Sequence, residues 1–116
     1  MDVERPVWIE RVHKGESFDQ ADLADVVMRR CRFVECSFRG ARLNDIDTAG
    51  CLFMEKADLR SSDLTRAQLG QARLFGADLR GAIMEGVDWK GLDGRGAIID
   101  VGQAVLLARS LGARVE

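Results

Sequence analysis

Residues 57–82, ADLRSSDLTRAQLGQARLFGADLRGA, repeat a small residue and a large apolar one every five positions: Ala57/Leu59, Ser62/Leu64, Ala67/Leu69, Ala72/Leu74 and Ala77/Leu79. Five residues of α-helix turn through about 500°, so successive leucines would wander around the axis. Five residues of strand would send them alternately to opposite faces. Neither element buries them all. The backbone must therefore change direction about once per pentad, so that each small/large pair points at one shared axis and the chain winds into a stacked coil, a solenoid.

The pattern extends in both directions. From Phe18 the large positions run Phe18, Leu23, Met28, Phe33, Phe38, Leu43, Thr48 and Phe53. Each follows by two residues Glu16, Ala21, Val26, Cys31, Cys36, Ala41, Ile46 or Cys51. Phe53 to Leu59 is six residues, which predicts one inserted residue within 54–57 before the array resumes through Leu64, Leu69, Leu74, Leu79, Met84 and Trp89. Ile46, large where Ala is usual, shares its pentad with Thr48, small where Leu or Phe is usual, as dense packing demands.

The 116 residues suit one domain. A hydrophobic content of 47% predicts a packed protein, and 12 Gly with 6% aromatic residues predict tight corners around an aliphatic core. With 17 basic and 19 acidic residues the net charge is -2, so no bulk field points to nucleic acid or an anionic membrane as a direct partner. The first residues lack the apolar run of a signal peptide and no apolar stretch is long enough to span a bilayer, which predicts a cytoplasmic protein.

The words ADLAD (21–25), ADLRS (57–61) and ADLRG (77–81) resemble the A(D/N)LXX motif of the pentapeptide-repeat proteins. Residues 16–38 look like the opening coil of the quinolone-resistance Qnr branch of that family, and residues 96–115 like the helical C-terminus shared by that branch and its mycobacterial relative. The resemblance implies an all-β solenoid, a right-handed quadrilateral β-helix of four pentads per coil and about four coils, ending in a short α-helix that often mediates homodimers. On that plan the inward columns are Phe18/Phe38/Leu59/Leu79, Leu23/Leu43/Leu64/Met84, Met28/Thr48/Leu69/Trp89 and Phe33/Phe53/Leu74. Residues 1–15 form an N-terminal cap, 16–101 the β-helix, and 102–116 a helix and tail.

Asp100 with Gln103 predicts a capping box, and Gly112 a helix stop. Ala104, Leu107, Ala108 and Leu111 share one face, expected to lie on the last coil. Leu106 points away with Val105 at the edge, which makes those two the expected dimer contact.

Few residues offer chemistry. Cys31, Cys36 and Cys51 occupy the small inward position, where a thiol packs as a small hydrophobe, and Cys31 and Cys51 are expected to stack. His13 reads as a solvated loop residue with no acid or nucleophile to work with. Asp22, Asp58, Asp63 and Asp78 are each the second residue of a pentad and face water. No phosphate loop, metal ligand set or cofactor motif is present. The expectation is a non-enzymatic protein with no small-molecule substrate. Two outer surfaces remain. An apolar stripe of Val34, Met54 and Phe75, next to Leu52, either binds protein or is covered by the N-terminal arm. Beside it Arg39, Arg60 and Arg80 form a ladder that Asp58 and Asp78 neutralise. The resemblance implies a type II topoisomerase such as DNA gyrase as partner, with the protein acting as a DNA mimic that protects against quinolones; the alternative is an interaction module for another protein partner.

Overall fold

A computed structural model describes residues 5–48, 52–87 and 91–116, and within them the side chains of all but Leu52 and Phe53. The corner needed in every pentad is in nearly all of the described ones a single residue in the left-handed region, Gln71 being an exception. Gln20, Asp25, Arg30, Glu35, Gly40 and Asp45 have φ between 52° and 66°, five residues apart, and the series continues through Lys56, Ser61, Arg66, Gly76, Gly81, Gly86, Gly91 and Gly96. Many of these corners are the third residue of a β-turn closed from the large residue to the next small one, as in Ala67 N–H to Leu64 O (2.9 Å) around Arg66 and Ala82 N–H to Leu79 O (3.0 Å) around Gly81. A straight segment and a corner repeated four times bring the chain back over itself after twenty residues.

The return is parallel. Strands β1 (Val7–Ile9), β2 (Val12–Lys14), β3 (Val27–Arg29), β4 (Cys31–Val34), β5 (Leu52–Glu55) and β6 (Ala72–Arg73) form two small parallel sheets, β1-β3 and β2-β4-β5-β6. The other sides are held by single parallel bridges such as Asp58↔Asp78 and Asp63↔Ile83. Leu59 N–H reaches Asp78 O at 2.8 Å while Asp78 N–H reaches Ala57 O at 2.9 Å, so backbone groups left free by the corners are satisfied one coil away. Side chains at the two inward positions fill the axis: Leu64 and Leu69 are 2% exposed and Leu74 1%. Ile46 and Thr48 are both buried, and the Thr48 hydroxyl donates to Gln68 O at 2.6 Å.

Three expectations need correction. First, β4 pairs with β5 as Cys31↔Leu52 and Phe33↔Met54, twenty-one residues apart, whereas Val27↔Asp47 is twenty. The extra residue therefore falls between Thr48 and Leu52, not within 54–57. Met54, 2% exposed, is the large inward residue of that pentad, and the column runs Phe33/Met54/Leu74 in place of Phe33/Phe53/Leu74. Leu52 stands in register with Cys31 and Ala72. Cys51, expected to stack on Cys31, lies outside the described residues. Trp89, expected in a third column, lies outside them too.

Second, the segment before residue 16 is coil and not only a lid. Trp8 aligns with Met28 and His13 with Phe33, so both occupy large inward positions. Their small positions hold Pro6 and Arg11, which hid the pentads from the pattern. His13 stacks on Phe33 (centroids 5.3 Å, planes 8° apart), meets the edge of Phe18 at 5.2 Å, and pairs through Nδ1 with Glu16 Oε2 at 2.9 Å. It is a packed residue of an aromatic cluster that includes Trp8, Phe18 and Phe38.

Third, helix α1 (Val101–Ser110) is rotated from the expected face. The capping box forms as predicted: Asp100 Oδ1 accepts from Gln103 N–H, and Gln103 Oε1 accepts from Asp100 N–H, both at 2.9 Å. The Gln103 amide also donates to the carbonyls of Leu79 and Ala82 in the coil beneath. That polar anchor fixes the rotation, so Leu106, one turn on, packs against the core while Ala104 is exposed and Leu111 is 77% exposed. Leu106 is thus half-buried against its own chain and not turned away from it as expected, and Val105 is half-buried, as are Leu107 and Ala108, which were expected on the coil. Gly112 (φ 83°) ends the helix as expected, with Ala113 N–H bonded to Ala108 O and Gly112 N–H to Arg109 O, a Schellman motif.

Three substitutions separate these constraints. Gly91 has φ 80°, and a Cβ there would lie 2.4 Å from Gly70 O, so Gly91→Ala should cost about 2–4 kcal/mol in urea unfolding. Glu35→Gly, at a corner already left-handed, should stay within about 1 kcal/mol of the parent. Leu106→Glu should lower stability by about 2 kcal/mol in the same assay, because the carboxylate would lie against the core.

Candidate functional site

The outer faces are built by the residues flanking each inward one. On the side carrying Phe33, Met54 and Leu74, the position after the large residue reads Lys14, Val34, Glu55, Phe75 and Arg95 in successive coils. The expected stripe of Val34, Met54 and Phe75 is therefore absent. Met54 is core, Glu55 stands between Val34 and Phe75, and both of those are half-buried. Arg32 reaches Glu55 at 2.7 Å, and the Arg95 guanidinium lies 5.1 Å from the Phe75 ring centroid. The earlier insertion shifted the register by one and exchanged an apolar column for a mixed, screened one.

The neighbouring side carries the ladder as read. Arg60 is bidentate to Asp58, with Nε–Oδ1 at 2.9 Å and Nη2–Oδ2 at 2.8 Å. Arg80 repeats this on Asp78 at 3.0 and 2.6 Å. Between coils, Arg39 Nε lies 3.8 Å from Asp58 and Arg60 Nε 3.9 Å from Asp78. The five side chains form one alternating zipper across three coils, with a further bidentate pair, Arg95 on Asp93, on the adjoining side. The reason is local: a carboxylate one residue before the large position also accepts the backbone N–H of the residue just after it, as Asp58 does from Arg60 N (3.1 Å) and Asp78 from Arg80 N (3.1 Å). These bonds hold the Asp78 carboxyl at about 2, with Arg80 the main cause, and Asp58 low for the same reason through Arg60.

Such a face holds charges in fixed places and presents neither a nucleophile with a base nor a ligand set. Cys31 and Cys36 are buried free thiols; the Cys31 Sγ donates to Trp8 O at 3.4 Å. Among the described residues no group of three His, Cys, Asp or Glu is placed to hold a metal ion, and no helix is long and apolar enough to cross a membrane. One feature escaped the sequence reading. A pocket of about 210 Å³ opens between the last coil and α1, lined by Leu79, Leu92, Gly94, Ala97, Ile99 and Leu107.

The model of the pentapeptide repeats matches residues 17–47 and 72–100, in 8 copies, just over half of the chain. The chain belongs to the pentapeptide-repeat family. A pentapeptide-repeat protein of the Arabidopsis thaliana thylakoid lumen is similar in structure, with a TM-score of 0.66 and 24% identity over 86% of this chain and 72% of that one. HetL of the cyanobacterium Nostoc sp. strain PCC 7120, a pentapeptide-repeat protein involved in heterocyst differentiation regulation, gives 0.54 and 21% over 86% of this chain; this chain spans 49% of HetL. The structural neighbours include the plasmid-mediated fluoroquinolone resistance protein QnrB1, at 0.48 and 16%, covering 91% of this chain and 90% of that one. No curated protein sequence matches. Together the family and its solved members imply a right-handed β-helix for this chain.

The zipper predicts a pH and salt response. Because the folded Asp78 carboxyl sits below its ordinary value of 3.8, its contribution is present above that value and is lost as pH falls through about 2. Asp78→Asn should therefore lower the urea midpoint at pH 7, by less in 1 M salt, and by much less at pH 2, where the folded carboxyl is about half protonated, as followed by circular dichroism.

Proposed function

We propose that this pentapeptide-repeat chain is a non-enzymatic, cytoplasmic binding module that offers a rigid, pre-ordered ionic face to a protein partner. The observation that carries the reading is the zipper Arg39–Asp58–Arg60–Asp78–Arg80, whose charges are fixed by backbone and cross-coil bonds. A partner that matches this array meets side chains whose rotamer entropy is already spent, which favours recognition by complementary charges.

The resemblance of residues 16–38 and 96–115 to the quinolone-resistance branch puts a type II topoisomerase first among partners. The duplex-mimic form of that idea is weaker, since the ladder's three arginines alternate with only two acids and the net charge is only -2. Recognition would then use the mixed array and not a stripe of phosphate-like charge. The same resemblance supports a homodimer formed at the C-terminal end.

The test is a DNA gyrase supercoiling assay with and without ciprofloxacin. Protection against the drug at micromolar protein, weakened when Arg60→Glu and Arg80→Glu reverse the face, is the expected result. No effect on the enzyme in either condition removes topoisomerase as the partner and leaves a different protein as the occupant of the ionic face.

A further inference from the structure

The two signs of charge in the ladder do not lie at the same depth. The side chains of Asp58 and Asp78 are 27% and 18% exposed, whereas those of Arg39, Arg60 and Arg80 are 57%, 40% and 52% exposed. The cause is stem length. A short Asp turns its carboxylate back to the N–H two residues on, and the longer Arg carries its guanidinium out over it. Solvent therefore meets a column of three guanidinium groups whose counter-charges form the floor. Arg60 spends only the Nε and Nη2 donors on Asp58, and Arg80 the same two on Asp78, so each keeps further N–H groups for a partner. Arg39 approaches Asp58 no closer than 3.8 Å.

The column has a definite length and an open flank. Ser17 bridges Ser37 and Asp78 bridges Ile98, which places Asp19 one coil before Arg39 and Asp100 one coil after Arg80. Both acids are fixed by backbone groups, Asp19 by Arg39 N–H at 2.9 Å and Asp100 by Gly81 N–H at 2.8 Å. A long anionic chain such as a phosphate backbone would run off the arginines on to one of these carboxylates. A short run of acids would not. The corner residues that follow the arginines are Gly40, Ser61 and Gly81, so no long side chain stands beside the column on that flank.

The pitch selects the shape of the ligand. Coils stack at about 4.8 Å, so the three arginines span about 10 Å. Acids at i, i+4 and i+7 of an α-helix share one face and span about 10.5 Å. Acids on one face of a strand, at i, i+2 and i+4, span about 13 Å and overrun the column. We propose that the ligand of this face is an acidic α-helix of a partner protein, with carboxylates at i, i+4 and i+7 seated on Arg39, Arg60 and Arg80. This rests on the ionic-face reading above and adds the chemistry and form of what docks there.

Fluorescence anisotropy at low ionic strength tests it with three probes: a stapled alanine-based helix with glutamates at i, i+4 and i+7, a helix of the same composition with the glutamates spread around its axis, and single-stranded oligothymidylate. The one-face helix should bind about tenfold tighter than either other probe, and Arg60→Gln or Arg39→Gln should each weaken it about tenfold. Arg39 makes no bidentate pair, and Asp58 keeps Arg60 without it, so Arg39→Gln carries the test should Arg60→Gln fail to fold by circular dichroism. Equal affinity for the two helices, an affinity unmoved by both variants, or no binding at millimolar helix overturns the proposal. Tighter binding of oligothymidylate overturns it in favour of a phosphate chain. If Arg60→Glu and Arg80→Glu weaken protection of gyrase while the helix fails to bind, the ionic face stands and this ligand falls. If the helix binds as expected and gyrase is unaffected, the topoisomerase falls and the acidic helix stands.

Discussion

The structure depends on one conformational demand, a turn at every fifth position, made in nearly all of the described pentads by a left-handed residue. With it, each segment of three or four extended residues ends in a turn, the chain returns over itself after four segments, and two inward side chains per segment meet on the axis. Without it the leucines of residues 57–82 have no common interior. The demand is costly for residues with a Cβ, on the order of 1 kcal/mol each. The coil nevertheless tolerates Gln20, Asp25, Arg30, Glu35, Asp45, Lys56, Ser61 and Arg66 there. What offsets the strain is repetition: central N–H groups such as those of Phe38, Leu43, Leu59 and Leu64 each find a carbonyl one coil away. Among the described residues from Gly76 to Gly96 the left-handed corners are all glycine.

Core and surface obey different rules in such a coil. Inward positions are fixed by volume, and exchanges such as Ile46 with Thr48 are matched within a pentad or left as a hollow, as at Gly94. Outward positions are fixed by what the corner can bond. An Asp just before the large residue serves the turn's free N–H and in the same act becomes an anchor for the arginine two residues on. The Asp58 and Asp78 pairs are therefore by-products of turn chemistry that become a charge pattern only because the coil stacks them.

The solenoid, its inward pairs, the capping box and the neutralised arginine ladder were legible in the sequence because each is a local rule read at fixed spacing. The apolar stripe was misread because the sequence dates the insertion only to within one pentad. Phe53 and Met54 are both apolar and either could fill the column, and only the pairing of Phe33 with Met54 decides between them. Trp8 and His13 were missed because Pro6 and Arg11 stand where a small apolar residue announces the repeat. Helix rotation was misjudged for a third reason: apolar spacing favoured Leu107 and Leu111 as the buried face, and a single amide, Gln103, bonded to two carbonyls of the coil beneath, overrides it. The pocket was invisible because an absent side chain leaves no pattern.

The twenty-residue register also constrains how such a chain can change in length. Adding or removing twenty residues restores every downstream side chain to its own face, whereas adding five moves everything beyond that point on by one side of the coil relative to what came before. The single extra residue between Thr48 and Leu52 does neither, since β5 and β6 return to a twenty-residue register immediately afterwards. Evolution of this architecture therefore has two unequal steps: whole-coil duplications that lengthen a surface, and single-pentad changes that re-aim one half of the molecule against the other.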